Sequence, residues 1–482
     1  MIFGEYSVAA PEITMLSVIC FVLIADLFVR DRDRAVTFWL TMASLGVVAW
    51  SIIATAPAMR TLLFDGSYVS DALSQTLKLG AVIIVATGFV YSRDYLRQNG
   101  LMKGEFYLLG LFGLLGILVM ISANSLLTMY LGLETLSLSL YALVAFDRNN
   151  AESAESAMKY FVLGAIASGS LLYGISWVYG VTGSLQFDEI AAAIHNPGVN
   201  GMALWFGMAF MIVGIAFKFG AVPFHMWLPD VYQGARSPVV LYVATAPKLA
   251  ALALILRILV DGLGSLHEVW QGIIMVLAVL SLLVGNIVAI VQTNIKRMLG
   301  YSAIAHVGFI LFAVFTGTEQ GYAAALYYTL TYIVMAAGAL GMVILLSRQG
   351  FEAELLVDFK GLNSRSPWFA LMMMFCMFGM AGVPPWVGFF AKLTVISAVL
   401  DAGFPGLAVL MVLASVVGAY YYLRVIWYMY FDRAVDESVI QTSADTRFVL
   451  SLNGIAVLVL GIVPGWLLAL CIDAIAATGY GG

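Results

Sequence analysis

Several ionisable side chains lie inside long apolar runs of the sequence, where a charge is costly. Glu134 is at the centre of the run SLLTMYLGLETLSLSLYAL, and two histidines and five lysines lie in or beside other apolar runs. A charged lysine at the centre of a lipid bilayer costs about 2.5–3.5 kcal/mol on insertion scales. A row of such groups therefore indicates a hydrated or mutually paired interior through which protons pass. The lysines are Lys78, Lys159, Lys218, Lys248 and Lys392, and the histidines are His225 and His306.

Glu134 shares its predicted helix face with hydroxyl groups at helical spacing. These belong to Tyr130, Ser137 and Tyr141. Such a face suits a carboxylate that carries a proton and whose charge state depends on a lysine partner. We expect this carboxylate and its lysine partner to stabilise each other in a partly hydrated pocket. The alternative reading is an ion pair that only holds two helices together.

The lysines occur near predicted helix irregularities. Lys218, Lys248 and Lys392 each lie within eight residues of a proline. Burial favours a neutral amine and a nearby carboxylate favours the ammonium, so competition between the two brings a lysine into the range where it transfers a proton. Lys159 is predicted to reach the same row, and Lys78 to extend toward the membrane interface.

The remaining polar residues of the apolar runs allow two readings. His225 and His306 are either relay residues or core histidines whose hydrogen bonds are satisfied. Arg424 follows three tyrosines and is predicted to anchor near a helix end. The roles of Lys78 and Asp26 stay open.

The composition is that of a polytopic membrane protein. Of the 482 residues, 62% are hydrophobic and 11% are charged, whereas a soluble domain averages about half apolar and about a quarter charged. This excludes a soluble enzyme, a disordered chain and a disulfide-stapled secreted domain. The net charge of −5 offers no basic surface for nucleic acid. The three cysteines lie far apart in the sequence, so we expect no zinc site, iron–sulfur site or other cofactor in this chain.

Windows of about 19 residues give fourteen predicted transmembrane helices, which we number as spans 1 to 14. The predicted fold class is therefore an all-α membrane protein. These runs are continuously apolar, unlike the alternating strands of a β-barrel. The predicted spans cover residues 11–29, 36–56, 71–92, 104–121, 124–146, 156–182, 200–227, 235–260, 267–292, 298–316, 321–347, 366–399, 403–430 and 448–472.

Lysines and arginines are distributed unevenly among the predicted loops. Fifteen lie in the odd-numbered loops, and only Arg60 and Arg257 lie in the even-numbered ones. By the positive-inside rule, the odd-numbered loops, which include Arg32 and Lys360, face the cytoplasm. Both termini are then expected on the opposite, periplasmic side.

Spans 7 and 12 are predicted to be broken helices. Pro223 interrupts the first, and Pro384 and Pro385 interrupt the second, because proline removes a helical hydrogen bond and frees a carbonyl. Broken helices at matching places in two halves indicate an inverted-repeat transporter. We expect one membrane domain with three N-terminal helices (1–103), two five-helix repeats (104–262 and 263–430) and a last helix (431–482).

Four blocks of the sequence together resemble the antiporter-like subunits of respiratory complex I, a proton-translocating NADH–quinone oxidoreductase. The resemblance covers essentially the whole chain and implies fourteen helices, two inverted repeats and a polar axis along the middle of the membrane. The blocks are KFGAVPFHMWLPDVYQGARSPV (218–239) followed by APKLAALALILR, LGLETLSLSLYAL around Glu134, QTNIKRMLGYSAIAHVGF (292–309) and AGVPPWVGFFAK, which ends at Lys392.

The resemblance also implies roles for individual residues. Glu134 and Lys218 would form the input pair of a proton path, and Lys248 and His306 would connect it onward. Lys392 would lie at the second broken helix.

Among the sister types of this family, we expect the N type. The chain lacks the long C-terminal extension of the L type, since few residues follow Cys471. The M type has a glutamate where this chain has Lys392. Lys159 matches a lysine of the N type.

The function implied is proton translocation in a bacterial inner membrane, driven by electron transfer in other subunits. Those partner subunits would hold NADH, FMN, iron–sulfur clusters and quinone. The expected partners are the other membrane-arm subunits and the lipid bilayer, and not nucleic acid. Two alternatives stay open, namely a stand-alone or Mrp-like cation/proton antiporter and a purely structural scaffold.

Overall fold

The computed structural model describes residues 6–30, 34–57, 59–195, 201–434, 440 and 442–480. Arg32, which entered the topology prediction, lies outside the described residues. Within the described part, thirteen helices are long and apolar enough to cross a membrane. The remaining predicted span, span 12, consists of two halves of 15 residues each. The prediction of an all-α membrane fold with about fourteen spans is confirmed.

The fourteen spans follow one another along the chain, and the connections between them differ in length. Span 8 contains two helical segments and ends in a π-helix, Leu256–Gly262. The helices of spans 1 to 14 are Ala10–Phe28, Ala35–Ala54, Ala72–Gln98, Gly104–Ile121, Leu126–Val144, Ala151–Thr182, Gly201–Phe219, Ser237–Ala244 with Ala246–Ile255, His267–Ile290, Ile295–Phe315, Glu319–Leu346, Pro367–Ala381 with Val387–Asp401, Pro405–Phe431, and Ala444–Ile462.

Both predicted helix breaks are present. In span 7 the chain leaves the helix after Phe219 and resumes it at Trp227, and the Val222–Pro223 peptide bond is cis. In span 12 it leaves the helix after Ala381 and resumes it at Val387, and the Pro384–Pro385 bond is cis. We call the halves 7a (Gly201–Phe219), 7b (Trp227–Gly234), 12a (Pro367–Ala381) and 12b (Val387–Asp401).

The core of the bundle lies around spans 8, 10 and 11. In the most apolar stretch of spans 8 and 10, 94% of the residues are buried, against 28–39% in spans 1, 2 and 14. A helix that is apolar all round is suited either to a protein core or to lipid. The inner spans therefore make the core, and the outer spans keep faces that can meet lipid or other chains.

Glycines allow two helix pairs to pack closely, one in each predicted repeat. A Cβ atom on Gly116 of span 4 would lie 2.5 Å from the backbone nitrogen of Leu136 in span 5. A Cβ atom on Gly285 of span 9 would lie 2.5 Å from the backbone nitrogen of Ala305 in span 10. Small residues at such crossings bring helix backbones together in membrane proteins. Spans 5 and 10, which carry Glu134 and His306, are fixed in this way.

The sequence analysis did not predict the short elements between the spans. A two-stranded antiparallel hairpin, Thr61–Leu63 (β1) and Tyr68–Ser70 (β2), pairs Leu62 with Val69 and precedes span 3. The helix Phe187–Ile194 follows span 6. The run 448–472, predicted as one helix, is divided into two, Ala444–Ile462 and Pro464–Ala476, because Pro464 begins a new helix.

Candidate functional site

Glu134 lies near the middle of span 5, on a face shared with Ser137. Span 5 begins at a conventional cap, because the Ser125 side chain accepts a hydrogen bond from the Thr128 backbone nitrogen. The Glu134 carboxylate accepts a hydrogen bond from the Ser168 hydroxyl of span 6. The side chain is half-buried, and Leu131 beside it is 57% exposed. Glu134 therefore lies at the edge of the bundle and is anchored by a neighbouring helix.

Lys218 lies in the last turn of 7a and points toward the same face of span 5. Its Nζ donates a 2.5 Å hydrogen bond to the Ser137 hydroxyl, three residues from Glu134. Among the described side chains, no ion pair within 4.0 Å joins Glu134 to Lys218. The Ser168 hydroxyl binds the Glu134 carboxylate and the Ser137 hydroxyl accepts from the Lys218 ammonium. The mutual stabilisation of the two charges stays a prediction.

Lys248 belongs to span 8, and its side chain contacts the C-terminal end of half-helix 7a. Its Nζ donates a 2.7 Å hydrogen bond to the carbonyl of Phe219, the last residue of that half-helix. The last carbonyls of a helix have no partner within it and carry partial negative charge, which favours a cation. Lys248 reaches this position because span 8 is interrupted at Thr245, where Pro247 enters the first turn of the next helical segment.

Lys392 meets the second broken helix in the same manner. From the second turn of 12b, its Nζ donates a 2.8 Å hydrogen bond to the carbonyl of Ala381, the last residue of 12a. The ammonium also lies 5.4 Å from the ring centroid of Phe309. A Cβ atom on Gly382, where φ is +83°, would lie 2.8 Å from the Lys392 Cδ. Glycine is required there both for the turn and for the lysine chain.

His306 is buried in span 10 and contacts two tyrosines. Its Nδ1 is 2.7 Å from the Tyr328 hydroxyl, and its Nε2 is 3.0 Å from the Tyr422 hydroxyl. Tyr422 also contacts the Ser302 hydroxyl. The sequence analysis missed both tyrosine partners. The tyrosine-rich runs in spans 11 and 13 were a signal, but they did not show which rings turn inward.

Small cavities join these side chains into two groups. Ser168 and Lys218 line one cavity, and Lys218 and Lys248 line a second, which we call the lysine cavity. His306 and Lys392 line a third. Among the described residues, no chain of hydrogen bonds connects Lys248 with His306. The structure thus brings Glu134, Lys218 and Lys248 into one group, and His306 and Lys392 into another.

Two predicted candidates lie outside these groups. Lys159 is 45% exposed and bridges Glu155 at 2.8 Å and Asp230 at 3.1 Å. It precedes Ser168 by nine residues on span 6, which is about 14 Å along the helix. Because its side chain pairs with these two carboxylates, the structure does not bring Lys159 into the group of Glu134, Lys218 and Lys248. Its role in proton transfer stays a prediction.

His225 lies in the break of span 7 and is half-buried. Its Nδ1 is buried and has no hydrogen-bond partner among the described residues. The structure therefore does not connect His225 to the other candidates through hydrogen bonds, and its relay role stays a prediction.

Other charged residues of the apolar runs have structural partners. Lys78 is fully buried and pairs at 2.6 Å with Glu12, which lies in the first turn of span 1. Asp26 pairs with Arg34 at 3.3 Å. Arg424 donates hydrogen bonds to the carbonyls of Ile290 and Gln292 at the end of span 9, as predicted for an anchor.

Arg257 was assigned to a loop, and this assignment is wrong. It lies in the π-helix that ends span 8 and is completely buried. It pairs with Asp71 at 2.6 Å and with Asp261 at 3.0 Å. The partners could not be predicted because Asp71 lies 186 residues away in the sequence.

The fold and site define a multi-pass membrane protein with buried titratable groups at two broken helices. A family model described as "NADH:quinone oxidoreductase/Mrp antiporter, TM" matches residues 123–418. This stretch contains Glu134, Lys218, Lys248, His306 and Lys392.

Comparison with individual proteins shows which group within this family the chain resembles. The chain is 55% identical, over 98% of both chains, to NADH-quinone oxidoreductase subunit N of Thioalkalivibrio sulfidiphilus. A chain of respiratory complex I from Thermus thermophilus is 31% identical, with a TM-score of 0.82 over 98% of this chain and 100% of that one. A chain of the Mrp complex from Dietzia shares the fold, with a TM-score of 0.85 at 20% identity over the full length of both. The chain therefore belongs to the NADH:quinone oxidoreductase/Mrp antiporter family, and within it to the subunit N group.

Proposed function

We propose that this chain moves protons as a membrane-arm subunit of an NADH–quinone oxidoreductase. The observation that carries the proposal is the repeated arrangement at the two helix breaks. At each break, a buried lysine donates to the last carbonyl of a half-helix, Lys248 to Phe219 and Lys392 to Ala381. A buried amine that can be neutral or charged is suited to accept and release a proton.

The proposed proton carriers are Glu134, Lys218, Lys248, His306 and Lys392. In the first group, the hydroxyls of Ser137 and Ser168 lie between or beside the charges and can both donate and accept hydrogen bonds. In the second group, the tyrosine hydroxyls beside His306 have the same capacity. The two groups fall into the two proposed repeats, residues 104–262 and 263–430.

The proposed setting is a bacterial inner membrane with both termini on the periplasmic side. The loop charges of the sequence support this orientation. The partners are other membrane-arm subunits and lipid. NADH, FMN, iron–sulfur clusters and quinone would be bound by other subunits.

Purification of the tagged chain from its native membrane, followed by reconstitution into liposomes with quinone, tests this function. We expect NADH–quinone oxidoreductase activity to co-purify with the chain and NADH oxidation to drive protons across the liposome membrane. Lys218→Met should lower the number of protons moved per NADH while the complex still assembles on a native gel. A chain that purifies without redox activity would contradict the proposal.

The second candidate is a cation/proton antiporter, which the shared fold with the Dietzia Mrp chain favours. In the same liposomes, this candidate predicts proton movement driven by a Na⁺ gradient in the absence of NADH. Redox-driven pumping that is unchanged when Na⁺ is replaced by choline would exclude it.

A further inference from the structure

An open polar cleft lies beside the first group of candidate residues, where the start of span 6, half-helix 7b and the start of span 10 meet. Lys159 and Arg297 both contact Asp230 in this cleft, at 3.1 Å and 2.7 Å. Arg297 also donates to the side chain of Gln233. The cleft is therefore a charged, hydrogen-bonded surface, and the loop-charge topology assigns it to the cytoplasmic side.

The lysine cavity lies directly behind this cleft. Tyr160 and Trp227 line the cavity together with Lys218 and Lys248. Tyr160 is the residue after Lys159, and Trp227 lies three residues, or about one helical turn, before Asp230. Span 6 and half-helix 7b thus each place a charged residue in the cleft and an aromatic residue in the cavity.

The two aromatic rings stack on each other between the two spaces. Their centroids are 4.5 Å apart with an angle of 14° between the planes, and both side chains are less than 5% exposed. The Trp227 indole nitrogen donates a 3.0 Å hydrogen bond to the Phe217 carbonyl. An indole N–H donates but does not accept hydrogen bonds, so it cannot pass a proton along a chain.

Half-helix 7b, which carries Trp227, is held along its whole length. Trp227 begins it directly after the helix break and is held by its hydrogen bond to Phe217. Asp230 in the middle of 7b is held by Lys159 and Arg297, and the Gly234 carbonyl at its end accepts a 2.8 Å hydrogen bond from the Ser153 hydroxyl. These contacts keep the two rings together in this structure.

We propose that the Tyr160–Trp227 stack is a barrier that controls the passage of water and protons between the polar cleft and the lysine cavity. This role rests on the proposed function of Lys218 and Lys248 as proton carriers. Tyr160 and Trp227 are positioning residues in it, since they determine when a proton reaches the lysines. Loss of the stacked aromatic contact should favour the open passage by up to about tenfold.

Access to a cysteine behind the stack tests the barrier without any assay of pumping. Val243 lines the lysine cavity and is replaced by cysteine in a chain whose three native cysteines are alanine. The assembled complex in inverted vesicles, which expose the cytoplasmic face, is treated with methanethiosulfonate ethylammonium. Mass spectrometry of this chain gives the labelling rate. We expect slow labelling of Val243→Cys alone, faster labelling by up to about tenfold with Trp227→Ala added, and slow labelling with Trp227→Phe.

Control variants distinguish the loss of a barrier at the stack from a general loosening of the protein. Gln233→Cys reports on access to the polar cleft. It should be labelled at the same rate with the native Trp227 and with Trp227→Ala. Trp205→Ala removes a 51% exposed tryptophan of 7a and should leave the Val243→Cys rate unchanged. Tyr160→Leu provides the same test from the other ring if Trp227→Ala does not assemble. Labelling of Val243→Cys in the otherwise native complex, already fast at rest, would overturn the proposal, as would equal rates with and without the stack.

The labelling rates remain informative if the proposed function fails. In that case NADH turnover would not change the rate at Val243→Cys, but removal of the stack still would. If both proposals hold, Val243→Cys behind the intact Tyr160–Trp227 stack is labelled faster during NADH turnover than at rest.

Discussion

In both broken helices a lysine binds the last carbonyl of the first half-helix, but the lysine comes from a different element in each. In span 7, the last carbonyl of 7a is bound by Lys248, which comes from the neighbouring span 8. In span 12, the last carbonyl of 12a is bound by Lys392, which comes from the second half of the same span. A freed carbonyl inside a bilayer needs a partner, and both sites use a lysine. The repeated feature is thus the ammonium at the helix end rather than the position of the lysine in the sequence.

The surroundings of the two sites differ as well. The first site has an additional lysine, Lys218, and the carboxylate of Glu134 at the edge of the bundle. The second has a histidine, His306, between two tyrosine hydroxyls. The first site lies next to the polar cleft, behind the Tyr160–Trp227 stack, whereas the second lies among buried aromatic residues. We infer that the first site exchanges protons with the outside more readily.

The largest effect is expected from the loss of charged groups at the first site. Glu134→Gln and Lys218→Ala should each reduce NADH-driven pumping by about fivefold or more, the size of a typical coupling between two sites. The double variant should lose much less than the product of the two losses, because the two groups are neighbours in one polar cluster, with Ser168 bound to Glu134 and Ser137 bound to Lys218. The measurement is a double-mutant cycle in sealed vesicles, with assembly checked on native gels. Fully multiplicative losses would show that the two residues act independently.

A smaller effect is expected from the hydroxyl that separates the two charges. Ser137→Ala removes the acceptor of the Lys218 ammonium, and a hydrogen bond to a charged group is worth about 1.5–3 kcal/mol. We expect pumping to fall, but less than in Lys218→Ala. Ser139→Ala is the matched control, since the Ser139 hydroxyl only bonds back to the Thr135 carbonyl in its own helix. Equal rates in the two serine variants would exclude a role for Ser137.

The smallest effect is expected at Lys159. Its ion pairs are exposed, and such pairs contribute about 0–1 kcal/mol. Lys159→Ala should therefore change pumping by about twofold or less. Initial rates of vesicle acidification at equal amounts of assembled complex measure this. A loss of pumping as large as that of Lys218→Ala would show that Lys159 takes part in proton transfer.

Much of the fold followed from apolar runs and prolines. Pro223, Pro384 and Pro385 identified both helix breaks, because proline cannot continue the hydrogen bonding of a helix. Of the site, the sequence identified Lys218, Lys248 and Lys392 as unusual residues.

The partners of these residues could not be predicted. Helical periodicity fixes which residues share a face of one helix, but not which face of the next helix lies opposite. Ser168 and Tyr328 therefore gave no signal as partners of Glu134 and His306. The direction of the Lys159 side chain gave no signal either, because its partner Asp230 lies on another helix, 71 residues further along the chain.

The central claim is that Lys248 and Lys392 carry protons and do not only cap broken helices. Lys248→Arg and Lys392→Arg test it, because arginine can still donate to the Phe219 and Ala381 carbonyls but does not release its proton in proteins. The measurement is the number of protons moved per NADH oxidised in sealed vesicles, normalised to complex assembled on native gels. We expect both variants to assemble and to move fewer protons per NADH. Assembled arginine variants that pump at the parental ratio would show that the lysines act only as caps.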